Sequence, residues 1–441
     1  MGAVTSTPEQ RGWYWYDWAN SVFTTSVTTV FLGPYLTDVA ERAAGGEDGT
    51  LHPLGIPVSP GSVFPYLLSV AALVQVFVLP LVGALADRTR RKRELLALFA
   101  YAGSLATAAL FLVAGGDYGL GVVLFLVANT CFGASIVVYH SWLPEIAGPD
   151  ERDAVSSRGW AWGYLGGGLL LALNLVLFLG RDAFGLSEGD AVRICFLSVA
   201  AWWAAFTVIP LRRLRDRPAP PGSEAATATG AFRQLGQTLR GLRGYPQTLL
   251  FLAAYLLFND GIQSVIGLAA QYGDKELELS QTVLISTILL VQFVAFGGAL
   301  LLGRIAARLG AKRTVLGSLV VWVAVLCLAF GVQKGSAVQF YVLGAAIGVV
   351  LGGTQALTRS LFGQMTPVGK EAEYFGLYEI SDKGTSWLGT LAFGLALQFT
   401  DSYRIAIISL VFFFVAGFLL LTRVDVRQAV AEARGEQPVL L

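Results

Sequence analysis

The sequence has few of the residues that build catalytic and metal centres. Its 441 residues include only two histidines, His52 and His140, and three cysteines, all inside apolar runs and without CxxC or His/Cys ligand spacing. These absences argue against disulfides, His-based metal clusters and a nucleophilic triad. No GxxxxGK[ST] loop occurs either, so nothing in the sequence indicates ATP binding. We therefore expect no cofactor, no metal and no enzymatic activity.

Charge is scarce as well. Charged residues make up 14% of the chain, whereas apolar residues make up 55%. This composition argues against an ordinary soluble multidomain protein and is typical of one that faces lipid. The formal net charge is +1, and the basic residues occur in short clusters between apolar runs, so nucleic acid is not an expected partner. The expected partners are the lipid bilayer and a small-molecule substrate, with the chain acting as a monomer.

Apolar runs long enough to cross a hydrocarbon core of ~30 Å dominate the chain. They are continuous Leu/Val/Ala/Phe/Gly stretches without the alternation of barrel strands, so we predict helices. The twelve predicted spans are 14–37, 63–86, 94–114, 119–143, 157–179, 191–211, 247–271, 280–303, 313–331, 338–362, 374–399 and 403–422. The predicted class is an all-α integral membrane protein.

Lysine and arginine are distributed unevenly between the two sides of these spans. With the N-terminus inside, all but six of the 31 Lys and Arg residues lie in cytoplasmic segments. The positive-inside rule then places both termini in the cytoplasm, and we expect a multi-pass protein of the plasma (inner) membrane. The predicted organisation is a six-helix bundle over 1–211, a flexible linker over 212–246, a second bundle over 247–422 and a tail over 423–441.

The second half of the sequence repeats two polar signatures of the first. A shift of 220 positions aligns residues 83–88 (GALADR) with 303–308 (GRIAAR), and residues 17–22 (DWANSV) match 260–265 (DGIQSV). Two halves of six helices in the same orientation are parallel repeats, as in carriers that alternate access around a central site. The second copy has Ala307 where Asp87 stands, so we expect no matching acidic gate there.

These motifs carry a family resemblance. Gly83-x-x-x-Asp87-Arg88-x-x-Arg91-Lys92 resembles the loop 2/3 signature of the major facilitator superfamily, which gates the cytoplasmic side in that superfamily. Residues 15–21 (WYDWANS), 258–263 (FNDGIQ) and 353–360 (GTQALTRS) with 373–376 (EYFG) resemble the branch of the fungal vacuolar amino-acid effluxer and its bacterial relatives. The resemblance implies two pseudo-symmetric six-helix bundles and amino acids as substrates.

Asp260 is the leading candidate for a binding residue. It lies about 13 residues into the seventh predicted helix, or roughly 20 Å deep at ~1.5 Å per residue. An ionisable group near mid-membrane costs about 2.5 to 3.5 kcal/mol, so its presence needs a reason. We predict that it binds a proton or a substrate amine, with Asn259 and Gln263 beside it; a structural hydrogen bond between helices is the alternative.

Other helices offer further polar groups. Asp17 and Asn20 belong to a polar face of the first helix, and for Asp17 a site role and a position at the membrane interface, within reach of headgroup water, stay open. Glu379 and Lys383 lie one turn apart, so Lys383 either pairs locally or faces a substrate carboxylate or the acid of the seventh helix. Gln355 is a candidate hydrogen-bonding wall.

The basic loop after the second helix predicts a gate. Asp87 stands beside several cations, which suggests an ion pair that holds the cytoplasmic face shut; anionic lipid headgroups are the alternative target of the cations. We expect Arg359, near the cytoplasmic end of its helix, to be an anchor or a gate partner. The predicted gating residues are Gly83, Asp87, Arg88, Arg91 and Arg308.

Together these features predict a secondary transporter of small solutes, with amino acids as cargo on the resemblance alone. The proton is the favoured coupling ion, because no Na⁺ signature is evident and a buried carboxylate can bind and release a proton. Proton-coupled efflux of hydrophobic drugs or metabolites is the alternative cargo. A transport-inactive membrane receptor or scaffold is the alternative from another class.

Overall fold

The chain folds almost entirely into helices. The computed structural model describes residues 6–89, 91–217, 240–241, 244–383, 387–400 and 402–434. The first half contains α1 (Pro8–Val22), α2 (Leu32–Ala44), α3 (Val63–Thr89), α4 (Lys92–Ala109), α5 (Tyr118–His140), α6 (Leu143–Ile146), α7 (Arg152–Leu179) and α8 (Glu188–Arg213). The second contains α9 (Pro246–Lys275), α10 (Gln281–Leu309), α11 (Ala311–Phe330), α12 (Ala337–Gln364), α13 (Glu371–Lys383), α14 (Trp387–Thr400), α15 (Tyr403–Ser409), α16 (Val411–Arg423) and α17 (Val426–Arg434).

The first helix is longer than its apolar run predicts. A capping box opens α1: the Thr7 hydroxyl accepts from the Gln10 N–H, and the Gln10 side chain accepts from the Thr7 N–H. A π-helical stretch, Phe23–Phe31, joins α1 directly to α2. Gly45, with a φ of 83°, caps the C-terminal end of α2. The predicted span of 14–37 was too short because the helix ends are amphipathic, and a search for apolar runs does not detect amphipathic turns.

Ten helices of the described residues are long and apolar enough to cross a membrane. Helix α13 is not among them because it has only 13 residues, and the stretch from α1 to α2 is not among them because its Thr, Ser and Asn side chains make it less apolar. Helix α14 is apolar but short. The structure thus supports a helical membrane fold and leaves the count of twelve spans as a proposal.

Two apolar cores divide the chain. One is built from residues between Trp13 and Leu214, joined by Ala372, and the other from residues between Phe251 and Ala429. We call these the N-terminal and C-terminal halves. The predicted linker lies between the two cores, although α8 extends to Arg213 and most of the linker lies outside the described residues.

The halves pack against each other along two lines. Helix α3 lies against α13, and α7 lies against α10 and α12. Gly83 makes the first contact possible: a Cβ there would overlap the Ala372 carbonyl and the Glu373 backbone. We call the helix ends that carry Thr89, Arg152 and Glu371 the closed end, because polar side chains of the two halves meet there.

Candidate functional site

Asp260 lies in the middle of the longest helix of the C-terminal half. It is the 15th of the 30 residues of α9, and its side chain is 1% exposed. Its Oδ2 accepts a 2.6 Å hydrogen bond from the Gly389 N–H in the first turn of α14. Its Oδ1 is buried and has no hydrogen-bond partner among the residues that the structure describes. The positive end of α14 therefore stabilises one oxygen, and the other is available to a ligand.

A hydrogen-bonded chain runs beside this acid across three helices. The Asn259 Nδ2 donates to Asp382 Oδ1 at 2.8 Å, and the Tyr255 hydroxyl donates to the same oxygen at 2.8 Å. The Gln355 Nε2 donates to Asn259 Oδ1 at 2.9 Å. Asn259 and Gln355, two separate candidates for the binding site, are thus bonded to each other, and the chain fixes the relative rotation of α9, α12 and α13.

Open space adjoins the same face of α9. Gln263 is half-buried, and a Cβ placed on Gly267 would meet nothing within 4 Å. The Ser264 hydroxyl, by contrast, is buried without a partner close to Gly389. Of the predicted neighbours of Asp260, the Lys383 side chain lies outside the described residues, so the structure does not address its pairing.

Asp17, the N-terminal counterpart of Asp260, has a different environment. Its Oδ2 accepts from the Tyr139 hydroxyl at 2.7 Å and lies 3.3 Å from both Nη1 and Nη2 of Arg359. The structure thus pairs Asp17 with an arginine of the other half, a contact that neither of its two interpretations, a binding site or the headgroup interface, had included. Asn20 is buried, and its Nδ2 has no partner.

Arg359 is the most enclosed cation of the described residues. It is 0% exposed and extends from α12 into the N-terminal half. Its Nε donates to the Ser156 hydroxyl and its Nη2 to the Ser156 carbonyl, both at 2.9 Å. The guanidinium carbon lies 4.6 Å from the ring centre of Trp13, which stacks on Tyr139. One side chain thereby ties α12 to α1, α5 and α7.

His140 and Glu379 extend this cluster. The Arg359 Nη1 lies 3.1 Å from His140 Nε2, and Glu379 Oε1 lies 3.1 Å from His140 Nδ1. The second contact is close but not aligned as a straight hydrogen bond. Glu379 was predicted beside the substrate; the structure places it against a histidine of the other half.

Asp87 joins the two halves, because it caps the first turn of α13. Its two carboxylate oxygens accept from the backbone N–H groups of Ala372 at 3.0 Å and Glu373 at 2.8 Å, at the start of α13. Its cationic neighbour is Lys92 at 3.9 Å, and Lys92 bonds more closely to Glu145 at 2.6 Å.

The expected arginine partners of Asp87 lie elsewhere. Arg91 is exposed and pairs with Glu94 at 3.5 Å. Arg88 is half-buried, and Arg308 of the second copy is exposed. Backbone amides replace the expected arginine pair because the glycine at position 83 lets the positive end of α13 approach the acid directly.

Sequence reasoning gave His140 no role and Arg359 only a peripheral one. Arg359 was placed near a helix end, where access to headgroups is expected, and His140 was considered only as an isolated histidine; the opposite half covers both residues. Ser156 gave no signal in the sequence, and Trp13 was interpreted as part of an aromatic belt at the membrane surface, whereas the structure buries it. The one indication in the sequence was the presence of an arginine, Arg359, among small and aromatic residues.

Comparison with known proteins gives a consistent family assignment. A family model described as "Vacuole effluxer Atg22 like" matches residues 5–434. The Bacillus subtilis protein "Uncharacterized MFS-type transporter YxiO" is 27% identical over 418 residues, covering 94% of each chain. "Autophagy-related protein 22-1" of Penicillium rubens is 26% identical over 550 residues, covering 97% of this chain and 92% of that protein.

Solved structures with the same fold are distant in sequence. The proton:xylose symporter XylE has a TM-score of 0.70 at 14% identity, covering 97% of this chain and 96% of its own. The major facilitator transporter FucP, in the outward conformation, has a TM-score of 0.66 at 10% identity, covering 94% and 98%. At such identities the likeness establishes the major facilitator fold alone.

Proposed function

The chain belongs to the Atg22-like family of major facilitator superfamily transporters, and from that premise we propose that it moves amino acids or similar small zwitterions by proton-linked alternating access. Membership itself makes the chain a multi-pass membrane transporter of small solutes and not an enzyme. The cargo, the coupling ion and the residues that bind them are our proposal.

The bare oxygen of Asp260 carries the proposal. A buried carboxylate with one unpartnered oxygen is costly unless something binds it, because burial removes the water that would otherwise solvate the charge. A proton or a substrate ammonium group would supply the missing partner. The position halfway along α9 is where alternating-access carriers place their site.

The neighbouring polar groups support a zwitterionic cargo. Asn259 and Gln355 form a hydrogen-bonding wall next to Asp260, and Gln263 faces the open side of the same helix. We propose Lys383 as the group that binds the substrate carboxylate, since it follows directly on Asp382 of this wall. The amino-acid class itself is proposed from the family description.

The proposed architecture is twelve membrane-spanning helices in two bundles, over 1–211 and 247–422. The two apolar cores support the division into halves, and the parallel repeat of polar signatures supports their pseudo-symmetry. We propose that both termini are cytoplasmic and that the protein acts as a monomer in the plasma membrane. The positive-inside distribution supports this orientation.

Counterflow of labelled amino acids, together with their accumulation under an imposed proton gradient, tests the proposal in proteoliposomes. We expect Asp260→Asn to lower proton-driven accumulation at least about tenfold, the lower range for a lost charged hydrogen bond. Asp274→Asn is the matched control, because Asp274 lies on the same helix but is exposed at its end. Accumulation that is equal in the Asp260→Asn variant and the wild type would remove Asp260 from the mechanism.

A thermal-shift screen separates the two cargo classes. Amino acids should raise the unfolding temperature of the purified protein in detergent, because a ligand that binds only the folded state stabilises it. Stabilisation by amphipathic cations alone would favour efflux of hydrophobic compounds instead. Stabilisation by neither class, together with absent counterflow, would contradict the transport of zwitterions.

A further inference from the structure

Four buried charged or titratable groups at the closed end are shared between the halves. Asp17 and His140 belong to the N-terminal half, and Arg359 and Glu379 belong to the C-terminal half. Arg359 pairs with Asp17 at 3.3 Å, and Glu379 lies 3.1 Å from His140. Both contacts join the halves, so both must break when the halves separate at this end.

The geometry defines the protonation of His140 in the closed arrangement. Arg359 Nη1 lies 3.1 Å from Nε2, and a guanidinium has donors but no acceptor. Nε2 must therefore accept and cannot carry a proton. The single ring proton then lies on Nδ1, on the side of the Glu379 carboxylate. The closed arrangement holds a neutral imidazole and excludes the charged one.

We propose that these four groups exchange partners when the closed end opens, and that His140 takes up one proton from water on that side. Opening carries Arg359 away together with Glu379, so the two can neutralise each other on the C-terminal half. Asp17 and His140 remain as neighbours, because the same Arg359 nitrogen touches both in the closed arrangement. The proton binds at Nε2, the position that Arg359 leaves, and replaces the lost positive charge beside Asp17.

This exchange leaves each half neutral in the open state. In the closed state, Arg359 neutralises Asp17, and the Glu379 charge faces the N–H of the neutral His140 ring. In the open state, protonated His140 neutralises Asp17. Without the proton, opening would leave Asp17 in the bundle with no counter-charge, at a cost of several kcal/mol for a buried ion.

The other charged groups around α5 are engaged elsewhere. Lys92 of α4 bonds to Glu145 at 2.6 Å, and Asp87 of α3 caps α13. Helix α2 packs on the opposite end of α5, near Gly121. The His140 ring also lies near the aromatic rings of Tyr139, Phe375 and Tyr378. Proton uptake in this cluster is thus assigned to His140.

The inference rests on the proposed alternating access and adds a proton site separate from Asp260. Because the open state binds one more proton than the closed state, a lower pH favours opening. Linkage limits the response to about a tenfold change in the open-to-closed ratio per pH unit. The response should lie near neutral pH, where histidine changes its charge.

Distance measurements on the full-length protein in nanodiscs test the exchange. Spin labels at Glu94 and Val368 would report on the closed end, because both positions are exposed and lie on opposite halves. The three native cysteines are first replaced by serine or alanine. Between about pH 8.5 and 5.5 we expect the long-distance population of the wild type to rise at least about tenfold.

Two variants identify the group responsible. His140→Gln retains an acceptor for Arg359 but cannot titrate, so we expect the pH response to be lost. His52→Gln is the matched control, because His52 is the only other histidine and is exposed; it should respond like the wild type. A wild type that does not respond to pH, or a His140→Gln variant that responds fully, overturns the proposal.

Glu379→Gln tests the partner exchange if the His140→Gln variant does not fold. It removes the acidic partner of Arg359 in the open state and leaves His140 in place, so opening should still depend on pH but require a lower pH. An unchanged midpoint contradicts the exchange. These measurements need no substrate: intact counterflow without pH-driven opening overturns the exchange alone, whereas absent counterflow overturns the proposed function.

Discussion

The two halves carry the same acid in their first helix and give it opposite surroundings. Asp17 is held by Arg359 of the other half and by Tyr139. Asp260, at the matching position, accepts one backbone N–H and keeps one oxygen bare. A neutralised acid can hold two halves together, whereas an open one can bind a cation or a proton. The same repeated signature thus provides an acid that holds the halves together, Asp17, and an acid that is available for binding, Asp260.

The second repeated signature diverges in the same way. Asp87 caps α13 of the opposite half, and its counterpart Ala307 has no side chain that could do so. A basic side chain contacts a helix end within each half: Arg93 Nε donates to the Leu211 carbonyl, and Lys312, at a neighbouring position of the repeat, donates to the carbonyls of Thr422 and Val424. Both copies of the signature thus lie next to a basic residue that bonds to a helix end of its own half. Only the first copy, through Asp87, also bonds to the other half.

Arginines join the two halves where α7 packs against α10 and α12. Arg359 joins α12 to the N-terminal half, and Arg152 Nη1 donates to the Gly363 carbonyl at 3.0 Å. The closed end therefore combines an acid that caps a helix with buried guanidinium groups. Four substitutions test this asymmetry.

Arg359→Gln should have the largest effect. It leaves Asp17 buried without its counter-charge, so we expect the closed state to lose about 3 to 5 kcal/mol relative to the open state. The spin-label distances at the closed end would measure the shift. The double variant with Asp17→Asn should recover much of the loss, because neither charge is then stranded. Equal losses in the single and the double variant would contradict the pairing.

Gly83→Ala should follow. Its Cβ would overlap backbone atoms of Ala372 and Glu373, which cannot move without separating α3 from α13. We expect a cost of about 3 kcal/mol to the closed state, the upper range for overpacking. Gly303→Ala meets only the side chain of Ser157, so about 1 kcal/mol is expected there. Accessibility of a thiol probe at the closed end would compare the two; equal effects would remove the proposed asymmetry.

Asp87→Ala should cost less, about 1 to 2 kcal/mol, the range for a lost helix cap. Lys92 keeps its closer bond to Glu145, so the basic loop stays in place. Asp87→Asn retains acceptor capacity toward the α13 amides and should cost roughly half as much. Hydrogen exchange at Ala372 and Glu373 would report the cap directly, and protection that is unchanged in the alanine variant would show that the cap contributes nothing.

Ala307→Asp should have the smallest effect, within about 0.5 kcal/mol, because position 307 is exposed and a new acid there stays solvated. It should also fail to restore the closed end when combined with Asp87→Ala. Accessibility of a thiol probe at the closed end in the single and double variants would check both points. Rescue by Ala307→Asp would show that the two signatures remain interchangeable.

Local patterns along the chain predicted much of this molecule. The apolar runs located the helices of the membrane fold, and the motifs around Asp17 and Asp260 identified the family that the comparisons then established. The failures lie where partners are distant in sequence. Glu379 was assigned to the substrate and His140 to nothing, because neither the depth nor the spacing of a residue records which helix of the other half lies opposite.

The sequence by itself determines which segments prefer lipid and which polar groups are costly there. The free energy of transferring a segment from water to lipid depends only on the side chains of that segment. Which acid is neutralised and which is left bare depended on the packing of helices. Asp17 and Arg359 are 342 positions apart, and only the mutual rotation of α1 and α12 brings them within 3.3 Å. Electrostatic pairing acts over a few ångströms, so its outcome is decided in three dimensions.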